Sequence, residues 1–225
     1  MPPRTVIVCL LALGWAGCVT FAPGPLPGEP ESAQYADLSQ ARVRYVDRGS
    51  GTPVVFLHGF GSSLETWKEV IPRVVERGHR AVALDLKGFG WSGRPKGDYS
   101  PVAQAKLVFE LMDRLEIESA AVVAHSWGSS VALQMAQLHP KRVDRLALYS
   151  AWVYAEQLPS SFYWARADGL GELLWSAFYD QVPNEKLAAA YYDRTELTQA
   201  YVDRVKRMLD RPGTTAAALE AVRGQ

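Results

Sequence analysis

The segment Ala120-Ala121-Val122-Val123-Ala124-His125-Ser126-Trp127-Gly128-Ser129 decides how this chain folds. Residues 120–124 are small and apolar throughout, as in a strand buried on both faces, and Trp127–Leu138 has the length and pattern of a helix. Ser126 stands between them, with Ala124 two residues before and Gly128 two residues after. This is the pattern of a nucleophile elbow, a tight turn that lifts a serine hydroxyl above the sheet. Backbone passes so close at such a turn that only Gly or Ala fits at 124 and 128. The helix opening at Trp127 then aims its N-terminus at any negative charge that develops beside the serine. The competing reading makes Ser126 a plain helix cap; the strand–turn–helix context favours the elbow.

Outward from the elbow, strands alternate with helices. Residues 41–47, 53–57 and 81–86 read as strands and Val143–Tyr149 as a further one; 64–76 and 101–115 read as helices. Such alternation predicts an α/β fold, a doubly wound and mostly parallel sheet covered on both faces. Ligands in such sheets bind at the carboxyl ends of the strands.

Two more strand ends carry unusual residues. Leu57-His58-Gly59-Phe60-Gly61-Ser62-Ser63 is a glycine-flanked loop able to aim an amide at the carbonyl oxygen that the serine attacks. In Asp85-Leu86-Lys87-Gly88-Phe89-Gly90-Trp91-Ser92-Gly93-Arg94-Pro95, the three glycines spell GxGxxG. A dinucleotide site needs a helix opening on the last glycine and an acidic residue at a strand end about 20 positions on. Here Arg94, Pro95, Gly97 and Pro101 follow, and Asp113 falls inside a helical stretch. The nucleotide reading fails on that context.

In this order and spacing, the three motifs resemble the α/β-hydrolase superfamily, closely over residues 43–151 and more loosely beyond. The resemblance implies Ser126 as nucleophile and the backbone amides of Phe60 and Trp127 as the oxyanion hole. It disfavours the haloalkane dehalogenase and epoxide hydrolase branches, which use an aspartate where this chain has Ser126. The run from Ser126 to Ser129 is similar to prolyl aminopeptidases, whereas His58–Gly61 is similar to esterases and carbon–carbon bond hydrolases. An ester, an amide or a C–C bond all stay open as the target, with a small apolar substrate, no cofactor and no metal.

In this family the order along the chain is Ser, then Asp or Glu, then His. After Ser126 the chain has one histidine, His139, at the far end of a helix and roughly 20 Å from the serine at 1.5 Å per residue. His125 adjoins the serine at a turn where neighbouring side chains diverge, His58 belongs to the oxyanion loop, and His79 reads as a surface turn residue. Ser150-Ala151 leaves the alternative acid position empty. The resemblance therefore predicts a chain short of the last strands, without the acid and base of the triad, and with little turnover. Residues 152–225 look like a helical cap, rich in aromatics such as Trp152, Phe162, Trp164, Trp175, Tyr191 and Tyr192.

The N-terminus reads as an address. Arg4 precedes an apolar run over 6–16, too short to span a bilayer and laid out as a secretory signal over residues 1–17. Trp15-Ala16-Gly17-Cys18 resembles a bacterial lipobox, although Trp15 stands where leucine is usual; Cys18 is then the lipid anchor. Residues 18–34 carry Pro23, Pro25, Pro27 and Pro30, a stiff tether. These readings place the core domain, residues 35–151, at the bacterial cell envelope with the membrane as a partner. The alternative is a non-catalytic surface lipoprotein that uses the fold as a binding or scaffold module. The 225 residues are 48% hydrophobic and 21% charged, with 24 Lys+Arg against 24 Asp+Glu. That balance excludes a disordered chain and disfavours nucleic acid as a partner. Both cysteines, Cys9 and Cys18, lie at the start, which leaves the body without a disulfide framework.

Overall fold

A computed structural model describes residues 20–157, 160–178, 193, 195 and 197–225. The segment 1–17, Cys18, Tyr191 and Tyr192 lie outside them. Among the described residues six strands form one sheet: β1 (Gln34–Asp37), β2 (Arg42–Arg48), β3 (Thr52–Leu57), β4 (His79–Leu84), β5 (Ala120–His125) and β6 (Val143–Tyr149). Their spatial order is β1-β2-β4-β3-β5-β6. The β1–β2 and β2–β4 pairs are antiparallel; β4, β3, β5 and β6 run parallel.

The described helices are α1 (Ile71–Glu76), α2 (Pro101–Arg114), α3 (Trp127–Leu138), α4 (Ser160–Ala165), α5 (Leu170–Phe178), α6 (Gln199–Leu209) and α7 (Thr214–Arg223). Successive side chains of a strand leave on opposite faces, and β3 shows the consequence. Val55 and Leu57 join Val122, Ala124, Val108 and Met112 on one side, whereas Val54 and Phe56 join Leu64, Trp67 and Ile71 on the other. Both sides are covered, as a parallel sheet requires.

The helix expected over 64–76 is a correction. It divides into a 3₁₀ turn, Leu64–Trp67, and α1. Pro72 sits in the first turn of α1 and has no N–H to continue a helix through 68–72. The strand expected at 81–86 starts two residues earlier and stops at Leu84, because the amide of Leu86 turns to the His58 ring instead of the ladder. By contrast α2 starts where Ser100 and Pro101 say it should: the Ser100 hydroxyl accepts from Ala103 N at 3.2 Å.

The Ala-rich end of the chain forms α7 and packs into the core, with Ala217 and Ala221 in the cluster that holds Phe89 and Trp127. Alanines let helix and loop approach closely. A Cβ on Gly88 would lie 2.8 Å from Ala217 Cβ and 2.5 Å from Tyr99 Cε1, and Gly88 has φ +92. Arg223 then links α7 to α5 through Glu172 at 2.9 Å. At the sheet edge β6 is exposed along most of its length, with Tyr149 at 69%.

The docking of α7 can be tested at its tightest point. Gly88→Ala should cost about 2–3 kcal/mol, read as a lowered urea midpoint, by combining overpacking with a disfavoured φ. Hydrogen exchange of the α7 amides should accelerate more than that of β3 or β5.

Candidate active site

The carboxyl ends of β3 and β5 lie side by side, in a register that pairs Leu57 with Ala124. The site is built on that pairing. Ser126 joins β5 to α3 with φ 51 and ψ −123, a backbone state that costs a residue with a side chain on the order of 1–3 kcal/mol. Three hydrogen bonds hold it there. Its amide donates to Tyr149 O at 3.0 Å, and its carbonyl accepts from Trp152 N at 3.2 Å and Ser129 N at 2.9 Å. The Ser126 hydroxyl makes no capping bond to α3, so the cap reading does not describe it.

The glycines around the turn are there for want of room. A Cβ at Gly128 would lie 2.5 Å from His58 O and 2.8 Å from Leu57 O, both backbone atoms that cannot move aside. A Cβ at Gly59 would lie 3.0 Å from Ser126 Cβ. Phe60 follows Gly59 on the loop, and Trp127 is the first residue of α3, where the N–H groups have no partner inside the helix. The Phe60 ring stands 5.5 Å from Phe89, 6.2 Å from Trp127, 5.4 Å from Phe162 and 6.1 Å from Trp175. Residues of α4 and α5 are thereby stacked onto the loop that precedes the elbow. The indole N–H of Trp127 is buried without a hydrogen-bond partner among the described residues, a donor that sequence reading gave no sign of.

His58 is fully buried and structural. Its Nδ1 pairs with Gly59 O at 2.8 Å and its Nε2 accepts from Leu86 N at 2.9 Å, which fixes the neutral tautomer with the proton on Nδ1. Burial pushes its pKa below the usual histidine value, while Asp85 pulls the other way. Asp85 is fully buried too; it accepts from Leu64 N and Trp91 N, each at 2.7 Å, and faces Arg44 at 3.5 Å. A Cβ at Gly90 would collide with that carboxylate at 2.1 Å. The glycines of the GxGxxG string thus serve close packing and left-handed turns.

The remaining histidines sit in three different surroundings. His79 opens β4, at the opposite end of the sheet. His139 ends α3 and packs edge-on against Phe109 at 4.9 Å. His125 precedes the serine with Nδ1 buried and unpartnered among the described residues, its ring 5.6 Å from Tyr149 and its pKa lowered by burial. Beyond β6, Ser150, with φ 44, occupies the position of the alternative acid.

The sequence model of the alpha/beta hydrolase fold matches residues 52–211. The chain belongs to the α/β-hydrolase family. It is 34% identical over 178 residues to a haloalkane dehalogenase of Mesorhizobium japonicum, covering 75% of this chain and 56% of that protein. It is 30% identical over 131 residues to bifunctional epoxide hydrolase 2 of Mus musculus, covering 56% of this chain and 24% of that one. The crystal structure of Cfl2 from Burkholderia cenocepacia superposes with a TM-score of 0.76 at 26% identity, over 89% of this chain and 74% of that one. This α/β-hydrolase chain thus spans little more than half of the dehalogenase and a quarter of the epoxide hydrolase.

A pH dependence follows from the buried imidazoles. His58 and His125 both bind protons less readily folded than unfolded. The unfolded chain then holds more protons below about pH 6.5, and stability is lost as pH falls from there toward the depressed folded values. The unfolding free energy from urea titration should drop between pH 7 and pH 5 by up to about 1.4 kcal/mol per pH unit for each histidine. His58→Gln, which keeps an acceptor for Leu86 N, should flatten that slope; an unchanged slope would clear His58 of the effect.

Proposed function

We propose that the chain carries the nucleophile half of a serine hydrolase acting on an ester or amide, or on a C–C bond. Ser126 Oγ attacks the substrate carbonyl carbon, the C=O π electrons move to the oxygen, and the amides of Phe60 and Trp127 hold the resulting oxyanion. Collapse of that intermediate expels the leaving group and leaves an acyl group on Ser126. The observation that carries this reading is the serine itself: a strained backbone, hydrogen-bonded at both amide and carbonyl, whose hydroxyl is not spent on capping α3. The aromatic group around Phe60, Phe162 and Trp175 suits a small apolar substrate.

Attack by a hydroxyl also needs a proton acceptor. Of the four histidines of the chain, His58, His79 and His139 are engaged elsewhere, and the His125 ring packs beside Tyr149. We therefore propose that the 225-residue chain turns over slowly by itself. The same histidine placement favours a second reading, a surface lipoprotein that binds without turnover. Under both readings the chain is exported and anchored at the cell envelope through Cys18. Metabolic labelling with palmitate should mark the protein, and Cys18→Ser should lose the label.

The nucleophile and the turnover separate experimentally. A fluorophosphonate probe should label the monodisperse protein at one site, Ser126, and leave Ser126→Ala unmarked. Hydrolysis of p-nitrophenyl butyrate should stay within the roughly 10³–10⁴-fold over water that an oxyanion hole supplies without a base. Fast turnover abolished by Ser126→Ala would overturn the expectation of a slow enzyme. No labelling of a well-folded chain would favour the binding module.

A further inference from the structure

The proline-rich segment ahead of β1 is docked onto the domain. Ala22 and Arg94 form a two-bond antiparallel bridge, 2.8 Å from Ala22 N to Arg94 O and 2.7 Å from Arg94 N to Ala22 O. Phe21 packs against the main core cluster, Leu26 is buried, and the Glu29 carboxylate accepts from both arms of Arg42 at 2.7 and 3.0 Å. Two glycines make room for the segment. A Cβ at Gly213 would lie 2.9 Å from Ala22 N, and one at Gly93 would lie 2.9 Å from Pro23 O. The segment is a strap, pinned at Ala22.

The strap crosses the end of the sheet that carries the elbow. Arg94 belongs to the loop after β4, and Phe89 of that loop stands 5.5 Å from Phe60 and 5.4 Å from Trp127. Cys18 is four residues ahead of Ala22, and four residues reach at most roughly 14 Å. A bilayer that holds Cys18 is therefore kept within that reach of the end of the domain where Ser126 lies.

The same end carries exposed apolar side chains. Tyr149 closes β6 and Tyr154 follows it; Tyr163 and Trp164 stand on α4, Leu170 and Leu173 on α5, and all six are exposed. Phe162 holds α4 over the site, 5.4 Å from the Phe60 ring. Tyrosine and tryptophan join an apolar body to a polar tip, which suits the headgroup level of a bilayer.

We infer that the carboxyl end of the sheet is the membrane-facing end of this domain, with the exposed aromatics of α4 and of the β6 end set into the headgroup region. The ester that reaches Ser126 is then an apolar one that partitions into the bilayer. The inference rests on the proposed readings of Cys18 as anchor and Ser126 as nucleophile, and its test separates the three.

The full chain, purified with its anchor, is reconstituted in vesicles of phosphatidylethanolamine and phosphatidylglycerol. A nitrobenzoxadiazole dye is placed on Ser160→Cys at the start of α4, or on Lys141→Cys just ahead of β6 at the amino end of the sheet. The dye at 160 should shift to shorter wavelength and be quenched by spin-labelled lipid; the dye at 141 should do neither. A long-chain alkyl fluorophosphonate dissolved in the vesicles should label Ser126. Trp164→Ser should cut the quenching at 160 and slow that labelling by about tenfold, with the urea midpoint unchanged. Lipid contact at 141 instead of 160, or at neither position, would overturn the inference. A chain that does not float with the vesicles would overturn it at the anchor. Lipid contact at 160 without a label on Ser126 would uphold the docking face and remove the nucleophile.

Discussion

The structure turns on a contact with no side chain between its two parts: the end of β3 lies against the first turn of α3. The carbonyl oxygens of Leu57 and His58 occupy the space that any Cβ at Gly128 would need. This closeness lets Gly59 press on Ser126 from one side while Tyr149 O and Trp152 N hold its backbone from the other. A residue at φ 51 persists only where its surroundings over-determine it, and here they do. His58 extends the constraint outward. Its ring spans from Gly59 O to Leu86 N, which locks the loop bearing Phe60 to the loop after β4. The position of the serine and the course of two loops are one problem with one solution.

Asp85 anchors the second of those loops. A buried carboxylate is tolerated because two backbone N–H groups and a cation meet it: Leu64 N from the 3₁₀ turn and Trp91 N from its own loop donate to its oxygens, and the Arg44 guanidinium from β2 stands 3.5 Å away. The Ser92 hydroxyl adds a further link, donating to Asp85 O and accepting from Arg44 N. Gly90 is required because the carboxylate fills the volume beside it. Arg44 then faces two carboxylates, Asp85 inside and Glu65 at 2.9 Å toward the surface.

Much of this was legible in the sequence wherever local chemistry decides. Trp127–Leu138 and Val143–Tyr149 form where the residue pattern places them, because a tight serine turn and His139-Pro140 bound the helix and an apolar run marks the strand. The elbow, the His58–Phe60 loop and the Asp85 loop were readable for the same reason: small residues at a strand end mark a place where backbone runs against backbone. What escaped depends on long-range contact. β1 is four residues long and half polar, with no pattern of its own until it pairs with β2. The helix α7 is alanine on nearly every side, so no apolar stripe announces which face meets Gly88 and Tyr99. The contact of Arg211 with Trp91 and Gly90 O joins residues 120 and 121 positions apart in the chain, and spacing alone gives no hint of it.

The relatives named above as a dehalogenase and an epoxide hydrolase share this frame with a chain that bears serine at the turn, and the way the turn is held shows why the frame tolerates serine there. The hydrogen bonds that hold residue 126 come from its own amide and carbonyl, and function resides in the atom its side chain presents. A carboxylate there is already an anion near neutral pH, its ordinary pKa being about 3.9, and can attack without surrendering a proton. A serine hydroxyl is not, and must lose its proton as it attacks. The need for a base is thus created by the serine, not by the fold. The placement of the four histidines would matter little to the first step of a carboxylate nucleophile, and it would govern the attack proposed for Ser126.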